Sequence, residues 1–395
     1  MKIAIFSDNF YPELSGISDS ILLLAKELAK LNHQVNFYVP RYSAKNYRVI
    51  NLLKSELNLG PNIKVSRLFS LPAPFVGKQA RMVLPLFFRP LFNGFKPDII
   101  HTQLFFGAGF EALVRSKINR VPIVGTNHTA ISEFVNRVRI NSKFIEQTSL
   151  DYASWYYNRC DFVTAPSRSV FKEMLAFGFK KPRQVISNPV DLDVFQTVGD
   201  KAAFKRKFKL SDKTIVYAGR LAPEKNIEVV IKAAAIAKKR ISGLNLAIAG
   251  SGQAENELKR LAKELGLENE VKFFGTISQA DLAKLYKAAE VFAIASTSET
   301  QSLVLMQALA CGLPAVAVNS RALPEYVNEK NGFVVRAGDE EAMAEKFILL
   351  LENGGEREKL SRGATESVQQ FSAPNIAKEW EKLYRQVIND YHKKA

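Results

Sequence analysis

Residues 291–318 decide the fold, and they read Val291-Phe-Ala-Ile-Ala-Ser-Thr-Ser-Glu299-Thr-Gln-Ser-Leu303-Val-Leu-Met-Gln307-Ala-Leu-Ala-Cys-Gly-Leu-Pro314-Ala-Val-Ala-Val318. The apolar runs 291–295 and 315–318 predict buried strands. The apolar spacing between them predicts a short helix that stops at Gly312-x-Pro314. A strand–helix–strand order of this kind is typical of a parallel α/β sheet, with the helix N-terminus near the carboxyl ends of the strands.

The start of this helix is a candidate phosphate site. The N–H groups of Gln301, Ser302 and Leu303, together with the partial positive charge of a helix N-terminus, suit an anion. Glu299 stands directly before them, and a carboxylate fits there if it binds hydroxyls of a group attached to the phosphate. Gln307 follows eight residues later, about 12 Å along a helix axis, so the pair could span a sugar and a ribose.

A second candidate element follows the predicted strand 214–218 and reads Gly219-Arg220-Leu-Ala-Pro-Glu-Lys225-Asn, before a predicted helix over 227–240. The planar fork of Arg220 suits two phosphate oxygens, and Lys225 supplies a compact positive charge. Such charges stabilise a leaving group that becomes more negative in the transition state.

Two further candidates lie in the first half of the chain. The predicted strand 2–6 precedes a loop ending at Gly16 and a helix that we expect Ser18 or Asp19 to cap. His128 comes just after the predicted strand 123–126. The carboxyl end of a strand is the usual ligand position in α/β folds, although a histidine there is also explained as an ordinary hydrogen-bonded loop residue.

Length and composition set the limits. A chain of 395 residues with 47% hydrophobic residues predicts two domains with their own cores. No apolar run approaches the roughly 20 residues of a membrane span, and Met1–Phe6 is too short for a signal sequence. Cys160 and Cys311 form no disulfide framework, so we expect a cytoplasmic protein. Neither cysteine lies in a metal-ligand spacing, and we expect no metal requirement.

The positive charge is concentrated in the first half. Residues 1–190 carry 25 Lys and Arg against 12 Asp and Glu, whereas residues 191–395 carry 30 against 27. A basic domain attracts nucleic acid or an anionic membrane, and simple solvation of surface lysines is the alternative. Because helix-turn-helix, RNP-like and zinc patterns are missing from the sequence, we expect no nucleic-acid partner.

Residues 68–95 contain six phenylalanines interleaved with Lys78, Arg81 and Arg89. Apolar side chains mixed with cations favour insertion at a membrane interface. The alternative is a loop whose phenylalanines are buried in the first domain. The segment 131–147 adds further cations, namely Arg137, Arg139 and Lys143.

These motifs carry a family resemblance. The stretch from Glu299 to Gln307 resembles the E-x(7)-E signature of the retaining nucleotide-sugar glycosyltransferases of family 4, with Gln307 in place of the second acid. The Gly219–Asn226 element resembles the family's diphosphate-binding loop. Further matches, which extend the resemblance over nearly the whole chain, are Pro97-Asp-Ile-Ile-His101, Cys160-Asp-Phe-Val-Thr-Ala-Pro-Ser167 and the interdomain junction 186–195.

The resemblance implies the GT-B fold, an α/β architecture of two facing Rossmann-like domains with parallel sheets and a donor cleft between them. Residues 1–195 would form the acceptor- and membrane-facing domain. Residues 196–372, after a basic linker over 201–213, would bind the nucleotide sugar. Residues 373–395 would form a helix that crosses back to the first domain.

The resemblance also implies roles for the candidate residues. Glu299 would orient the hydroxyls of the donor sugar, and Arg220 and Lys225 would hold its diphosphate. His128 would face the sugar and Gln307 the ribose. Further donor contacts would come from Gly16, beside the phosphates, and from the loops of Gly250 and Ile277, which border the nucleobase. Transfer would follow a front-face route.

We therefore expect a hexosyltransferase that moves glucose from UDP-glucose to a lipid such as diacylglycerol, peripherally bound at the inner face of the cell membrane. The alternatives are transfer to a saccharide or another soluble acceptor. From a different class, the chain could be a non-catalytic protein that binds nucleotide sugar or nucleic acid.

Overall fold

The computed structural model describes residues 1–13, 15–48, 57–73, 80–85, 92, 94–129, 143–196 and 198–394. The chain divides into two compact units. The first unit comprises Met1–Pro189 with Ala373–Ala395, and the second comprises Val190–Ser372.

The first unit is built on a parallel sheet in the order β3-β2-β1-β6-β7-β8-β9, beside a two-stranded antiparallel hairpin, β4-β5. Its strands are β1 (Lys2–Phe6), β2 (Gln34–Pro40), β3 (Ile63–Leu68), β4 (Ser70–Pro72), β5 (Arg81–Val83), β6 (Ile99–Thr102), β7 (Ile123–Thr126), β8 (Phe162–Ala165) and β9 (Arg183–Val185). The helices between them are α1 (Gly16–Lys30), α2 (Ala44–Arg48), α3 (Gly107–Asn119), α4 (Lys143–Tyr157) and α5 (Arg168–Ala176).

The second unit repeats this plan with a parallel sheet in the order β12-β11-β10-β13-β14-β15. Its strands are β10 (Lys213–Ala218), β11 (Leu244–Ala249), β12 (Val271–Gly275), β13 (Val291–Ile294), β14 (Ala315–Val318) and β15 (Gly332–Val335). Its helices are α6 (Leu192–Phe195), α7 (Lys201–Phe208), α8 (Ile227–Lys238), α9 (Glu255–Glu264), α10 (Gln279–Ala288), α11 (Leu303–Ala310), α12 (Leu323–Tyr326), α13 (Glu340–Glu352) and α14 (Gly354–Ser367). Short 3-10 turns lie at Pro223–Lys225 and Gln369–Phe371, and the terminal helix α15 (Ala373–Lys394) belongs to the first unit.

The predicted α/β class with parallel sheets is confirmed, and the burial pattern explains it. All four residues of β13 and all four of β14 are buried, as strands covered by helices on both faces require. In each sheet the strand order reverses at one place, between β1 and β6 in the first unit and between β10 and β13 in the second. Loops at the carboxyl ends of the strands at such a switch point form the usual ligand site of open α/β sheets.

Three local expectations were wrong. Helix α1 begins at Gly16 with Ser15 as its cap, because the Ser15 hydroxyl accepts a hydrogen bond from the Ser18 N–H at 3.1 Å. Gly16 is therefore the first helical residue and does not end the loop. The predicted linker over 201–213 is largely helix α7, since Asp200 caps its first turn by accepting from the Ala202 N–H.

The boundary between the units falls at 189/190, six residues before the position taken from the sequence. Phe195 explains the difference, because it is buried in the core of the second unit. Its carbonyl oxygen also accepts a hydrogen bond from the Cys311 thiol at 3.0 Å. Among the described residues, none of the helices combines the length and apolar character that crossing a lipid bilayer demands.

Candidate functional site

The switch point of the second sheet brings together residues that the sequence had singled out separately. The loop after β10 carries Arg220 and Lys225, and the loop after β13 carries Glu299. Because β10 and β13 are hydrogen-bonded neighbours, both loops emerge at the same edge of the sheet. This edge is the ligand position of an open α/β fold.

An ion pair joins the two loops. Lys225 Nζ lies 2.6 Å from Glu299 Oε1, and the two side chains are only 15% and 12% exposed. Partial burial strengthens the attraction, since fewer water molecules screen the two charges. Seventy-four residues separate Lys225 from Glu299, so only the parallel topology places them in contact.

Asn226 holds the same two loops together, although the sequence analysis did not select it. Its side-chain amide donates to the Ala295 carbonyl at 3.2 Å and to the Thr297 hydroxyl at 3.3 Å. The loop after β14 also contacts the Glu299 loop, because the Ala322 N–H donates to the Glu299 carbonyl at 3.3 Å. The Glu299 carboxylate is thus presented by a backbone that is fixed on both sides.

Arg220 lies at the more exposed end of the site. One guanidinium nitrogen is 2.6 Å from Glu224 Oε1, and the Arg220 side chain is 51% exposed whereas that of Glu224 is 15% exposed. The Tyr217 hydroxyl donates to the Arg220 carbonyl at 3.2 Å. Burial, with a smaller contribution from the Glu299 charge, raises the pKa of Tyr217, so this hydroxyl keeps its proton.

Gly250 packs directly on the Arg220 loop. Its φ is +135°, and a Cβ atom there would lie 1.8 Å from the Gly219 carbonyl oxygen. Gly252 is equally close, since its Cβ would lie 2.1 Å from the Leu221 carbonyl oxygen. Glycine is needed at both positions because two backbones approach each other. The Gly-x-Gly after β11 therefore allows close packing against the Arg220 loop, the candidate diphosphate-binding loop.

Helix α11 starts one residue later than the phosphate hypothesis assumed. Ser302 is its cap and accepts from the Leu305 N–H at 3.4 Å, so Gln301 precedes the helix. The N–H groups at the helix start are those of Ser302, Leu303 and Val304. Gln301 is buried, while Leu303 and Gln307 are partly exposed and, four residues apart, lie on one face of the helix.

Ile277 lies after β12, at the outer edge of the sheet, directly before the Ser278 cap of α10. The loops after β11 and β12 are linked by the Ser251 and Thr276 hydroxyls, 2.9 Å apart. Ile277 is therefore placed beside the Gly250 loop, on the far side of it from Glu299. The carboxyl edge of this sheet thus carries the loops of Arg220, Gly250, Ile277 and Glu299, and α11, which bears Gln307, begins there.

The first unit has its own polar edge. Gly16 is exposed at the start of α1, which follows β1, and His128 follows β7. His128 Nε2 lies 2.6 Å from Gln103 Oε1 on the loop after β6. Burial lowers the pKa of His128 to about 4, so the ring is neutral at neutral pH.

Two acids beside β1 were missed in the sequence. Asp8 accepts from the Ala108 N–H at 2.8 Å and thereby caps α3. Burial outweighs its hydrogen bonds and raises its pKa to about 6. Glu13 accepts from the Tyr42 hydroxyl at 3.1 Å, and burial raises its pKa to about 7. An acid directly after a predicted strand is the signal that could have identified Asp8.

The described part of segment 68–95 is of mixed character. Phe92 and Phe95 pack against the core of the first unit, as the buried-loop alternative predicted for them. On the β4–β5 hairpin, Phe69, Leu71 and Met82 are instead 50%, 44% and 40% exposed. Lys78, Arg89, Arg137 and Arg139 lie outside the described residues.

Two parallel-sheet α/β units with ligand-edge loops of this kind define the GT-B class of glycosyltransferases. Family comparisons agree: the model "Glycosyltransferase Family 4" matches residues 14–194, and the model "Glycosyl transferases group 1" matches residues 199–367. The chain belongs to the family 4 glycosyltransferases and is a glycosyltransferase enzyme.

Several curated relatives match over most of their length. Alpha-monoglucosyldiacylglycerol synthase of Streptococcus pneumoniae is 27% identical over 100% of this chain and 88% of its own. The protein of the same name from Acholeplasma laidlawii is 24% identical over 100% and 99%. D-inositol 3-phosphate glycosyltransferase of Corynebacterium glutamicum is 26% identical over 98% and 97%.

Solved structures show the same fold. Anabaena HepE in complex with UDP and glucose has a TM-score of 0.77 at 21% identity, and the match covers 98% of this chain and 100% of HepE. Sucrose-phosphate synthase of Thermosynechococcus elongatus has a TM-score of 0.76 at 20% identity, with 98% and 99% covered.

Proposed function

We propose that this enzyme transfers glucose from UDP-glucose, with retention, to a lipid acceptor such as diacylglycerol at an anionic membrane surface. The Lys225–Glu299 ion pair at the switch point of the second sheet is the observation that supports a nucleotide-sugar donor. It places a cation and a carboxylate side by side, as a sugar joined to a diphosphate needs. Full-length similarity to two alpha-monoglucosyldiacylglycerol synthases supports the acceptor.

The chemistry follows from the charges. When the bond between the sugar and the diphosphate breaks, negative charge develops on the departing phosphate oxygens. Lys225 and Arg220 stabilise that charge, together with the N–H groups at the start of α11. Both cations are paired with carboxylates, so a diphosphate would compete with Glu299 and Glu224 for them.

Glu299 then binds the sugar. Once Lys225 turns to the diphosphate, the Glu299 carboxylate accepts hydrogen bonds from the sugar hydroxyls and orients the ring. The acceptor hydroxyl attacks on the face from which the diphosphate leaves, and its proton passes to a departing phosphate oxygen. Because two side-chain cations serve the diphosphate, we propose that no metal ion is required, and activity should survive EDTA.

Gln307 takes the place of the second signature acid. Its amide offers both a donor and an acceptor, so it pairs with a ribose hydroxyl without a charge. It lies on the partly exposed face of α11, one turn after Leu303. We expect the substitution Gln307→Glu to change the KM for the donor more than kcat.

The first unit supplies the features that a lipid acceptor requires. Its half of the chain is strongly basic, and the hairpin exposes Phe69, Leu71 and Met82. Arg41 lies beside the hairpin, because its carbonyl accepts from the Ser70 hydroxyl at 2.9 Å and its N–H donates to the Leu68 carbonyl. Exposed apolar groups beside cations favour an anionic bilayer.

The similarity to D-inositol 3-phosphate glycosyltransferases supports a second candidate, transfer to a small phosphorylated polyol. A product assay separates the two. The enzyme is mixed with UDP-glucose and either diacylglycerol in phosphatidylglycerol vesicles or inositol 3-phosphate in solution. We expect glucosyl-lipid only, lost in Glu299→Ala. Product from inositol 3-phosphate alone would overturn the lipid proposal.

A further inference from the structure

We propose that Gln103 is a positioning residue that fixes the tautomer of His128, with the proton on Nε2 and with Nδ1 as a hydrogen-bond acceptor. A part for His128 in the transfer is what the family resemblance implies, and it rests on the proposed function. The tautomer itself rests only on contacts within the first unit, so the two can fail separately.

The contact between the two side chains is short and partly buried. Gln103 is 2% exposed, and its Oε1 lies 2.6 Å from His128 Nε2. An amide oxygen only accepts hydrogen bonds, so Nε2 must carry the proton. In a neutral imidazole the other nitrogen is then an acceptor, and the partner of one nitrogen decides the role of the other.

The argument depends on which end of the Gln103 amide faces His128, and His101 decides this. The ring of His101 is fully buried and has a partner at each nitrogen. Its Nδ1 lies 2.7 Å from the Tyr384 hydroxyl, and its Nε2 lies 2.6 Å from the Thr126 hydroxyl.

Gln103 Nε2 lies 3.2 Å from His101 Nδ1 and 3.0 Å from His101 Nε2. An atom almost equidistant from both ring nitrogens, whose partners are already hydroxyls, lies over the face of the ring. Burial lowers the pKa of His101 well below its usual value, so the ring is neutral and its face attracts N–H groups. The amide nitrogen therefore belongs on His101, and the oxygen on His128.

The network extends into the terminal helix. Tyr384 and Trp380 of α15 both pack on His101, with the Trp380 and His101 ring centroids 4.4 Å apart. A chain of contacts thus runs from Tyr384 through His101 and Gln103 to His128. The direction in which the His128 ring presents Nδ1 is therefore set by Gln103 and, behind it, His101.

Nuclear magnetic resonance of the full chain labelled with 15N-histidine tests the tautomer directly. The chain has four histidines, and His128→Asn assigns one set of signals. We expect the couplings of His128 to show a proton on Nε2 in the wild type and a mixture of tautomers in Gln103→Leu. A proton on Nδ1 in the wild type, or an unchanged pattern in Gln103→Leu, would overturn the inference.

Kinetics then test the consequence. Gln103→Leu should lower kcat roughly tenfold with a smaller change in the KM for UDP-glucose, since orientation matters most in the transition state. Gln103→Glu, which still accepts from Nε2, should recover most of kcat.

Gln184→Leu is the matched control, because Gln184 donates to Glu379 of α15 at 2.7 Å and has no part in the His128 contact. A kcat loss in Gln184→Leu equal to that in Gln103→Leu would overturn the inference. A fixed tautomer combined with unchanged kinetics in Gln103→Leu would instead remove His128 from the proposed function.

Discussion

At the scale of single residues, the Lys225–Glu299 pair makes stability and activity depend on each other. Lys225→Ala leaves a largely buried carboxylate without its partner, so we expect it to lose stability as well as activity. We predict a fall of about 100-fold in kcat/KM for the donor. Urea unfolding of the single variants and of Lys225→Ala/Glu299→Ala measures the coupling. The double variant should be more stable than Lys225→Ala, and purely additive losses would contradict a direct pair.

The contact between Gly250 and Gly219 makes a second residue-scale prediction. In Gly250→Ala the Cβ meets a carbonyl oxygen at 1.8 Å, so the Arg220 loop must move. We expect the KM for UDP-glucose to rise at least tenfold, because a small displacement of a positioned cation weakens its contact with the diphosphate. Gly338→Ala is the control, since Gly338 also has positive φ but nothing lies within 4 Å of its Cβ. Equal effects of the two variants would show that backbone strain alone is responsible.

Asp8 makes stability depend on pH. Its pKa is raised from 3.8 to about 6, so the folded state binds the proton more tightly than the unfolded state. The free energy of unfolding should therefore fall as pH rises from below 4 to above 6, by up to about 3 kcal/mol in total. Asp8→Asn keeps the shape without the titration, and its unfolding free energy should change less over this range. Parallel curves for the two proteins in urea melts would contradict the assignment.

At the scale of elements, Glu290 ties α7 to the second sheet. It is 5% exposed and lies 2.7 Å from both Lys201 and Lys205, with Arg357 at 3.4 Å. This cluster is at the amino end of β13, the opposite end of the strand from Glu299. Glu290→Ala should lower the melting temperature by several degrees while leaving the KM for UDP-glucose within twofold. A large rise in KM without a loss of stability would refute this purely structural role.

Local signals in the sequence predicted most elements well. The fully apolar runs at 291–294 and 315–318 became the buried strands β13 and β14, because strands buried on both faces are rich in apolar residues. Helix α1 was shifted, since Ser15, Ser18 and Asp19 are all acceptable caps and only the backbone conformation selects Ser15. Helix α7 was missed because its many cations made it resemble a linker, whereas Glu290 neutralises two of them from a distant strand.

At the scale of the whole molecule, the repeated βα order made the fold predictable. The same order explains why the loops of Arg220, Lys225 and Glu299 lie at one edge of the second sheet, since the carboxyl ends of parallel strands share that edge. Contacts such as Gln103 with His128, or Asp8 with Ala108, were not predictable. They depend on side-chain directions in loops, which leave no periodic pattern in the sequence.

The distribution of charge and apolar surface over the molecule leads to the last prediction, on membrane binding. The first 190 residues hold most of the excess positive charge, and the β4–β5 hairpin of that half exposes three apolar side chains. Long-range attraction should bring the chain to anionic lipid, and burial of apolar side chains should then hold it there. Binding should therefore weaken in salt, because screening reduces the first contribution.

Co-sedimentation with phosphatidylglycerol vesicles measures both contributions. The variant Phe69→Ser/Leu71→Ser/Met82→Ser removes apolar area that faces water in the free protein, so it should bind at least tenfold more weakly with little loss of stability. Val198→Ser/Leu265→Ser is the control, since Val198 is 95% exposed and Leu265 is 39% exposed in the less basic second unit. If the two variants bound the vesicles equally well, the exposed apolar side chains of the hairpin would not be the surface that faces the membrane. If neither variant nor the wild type bound at low salt, a lipid acceptor would have to be reached without docking.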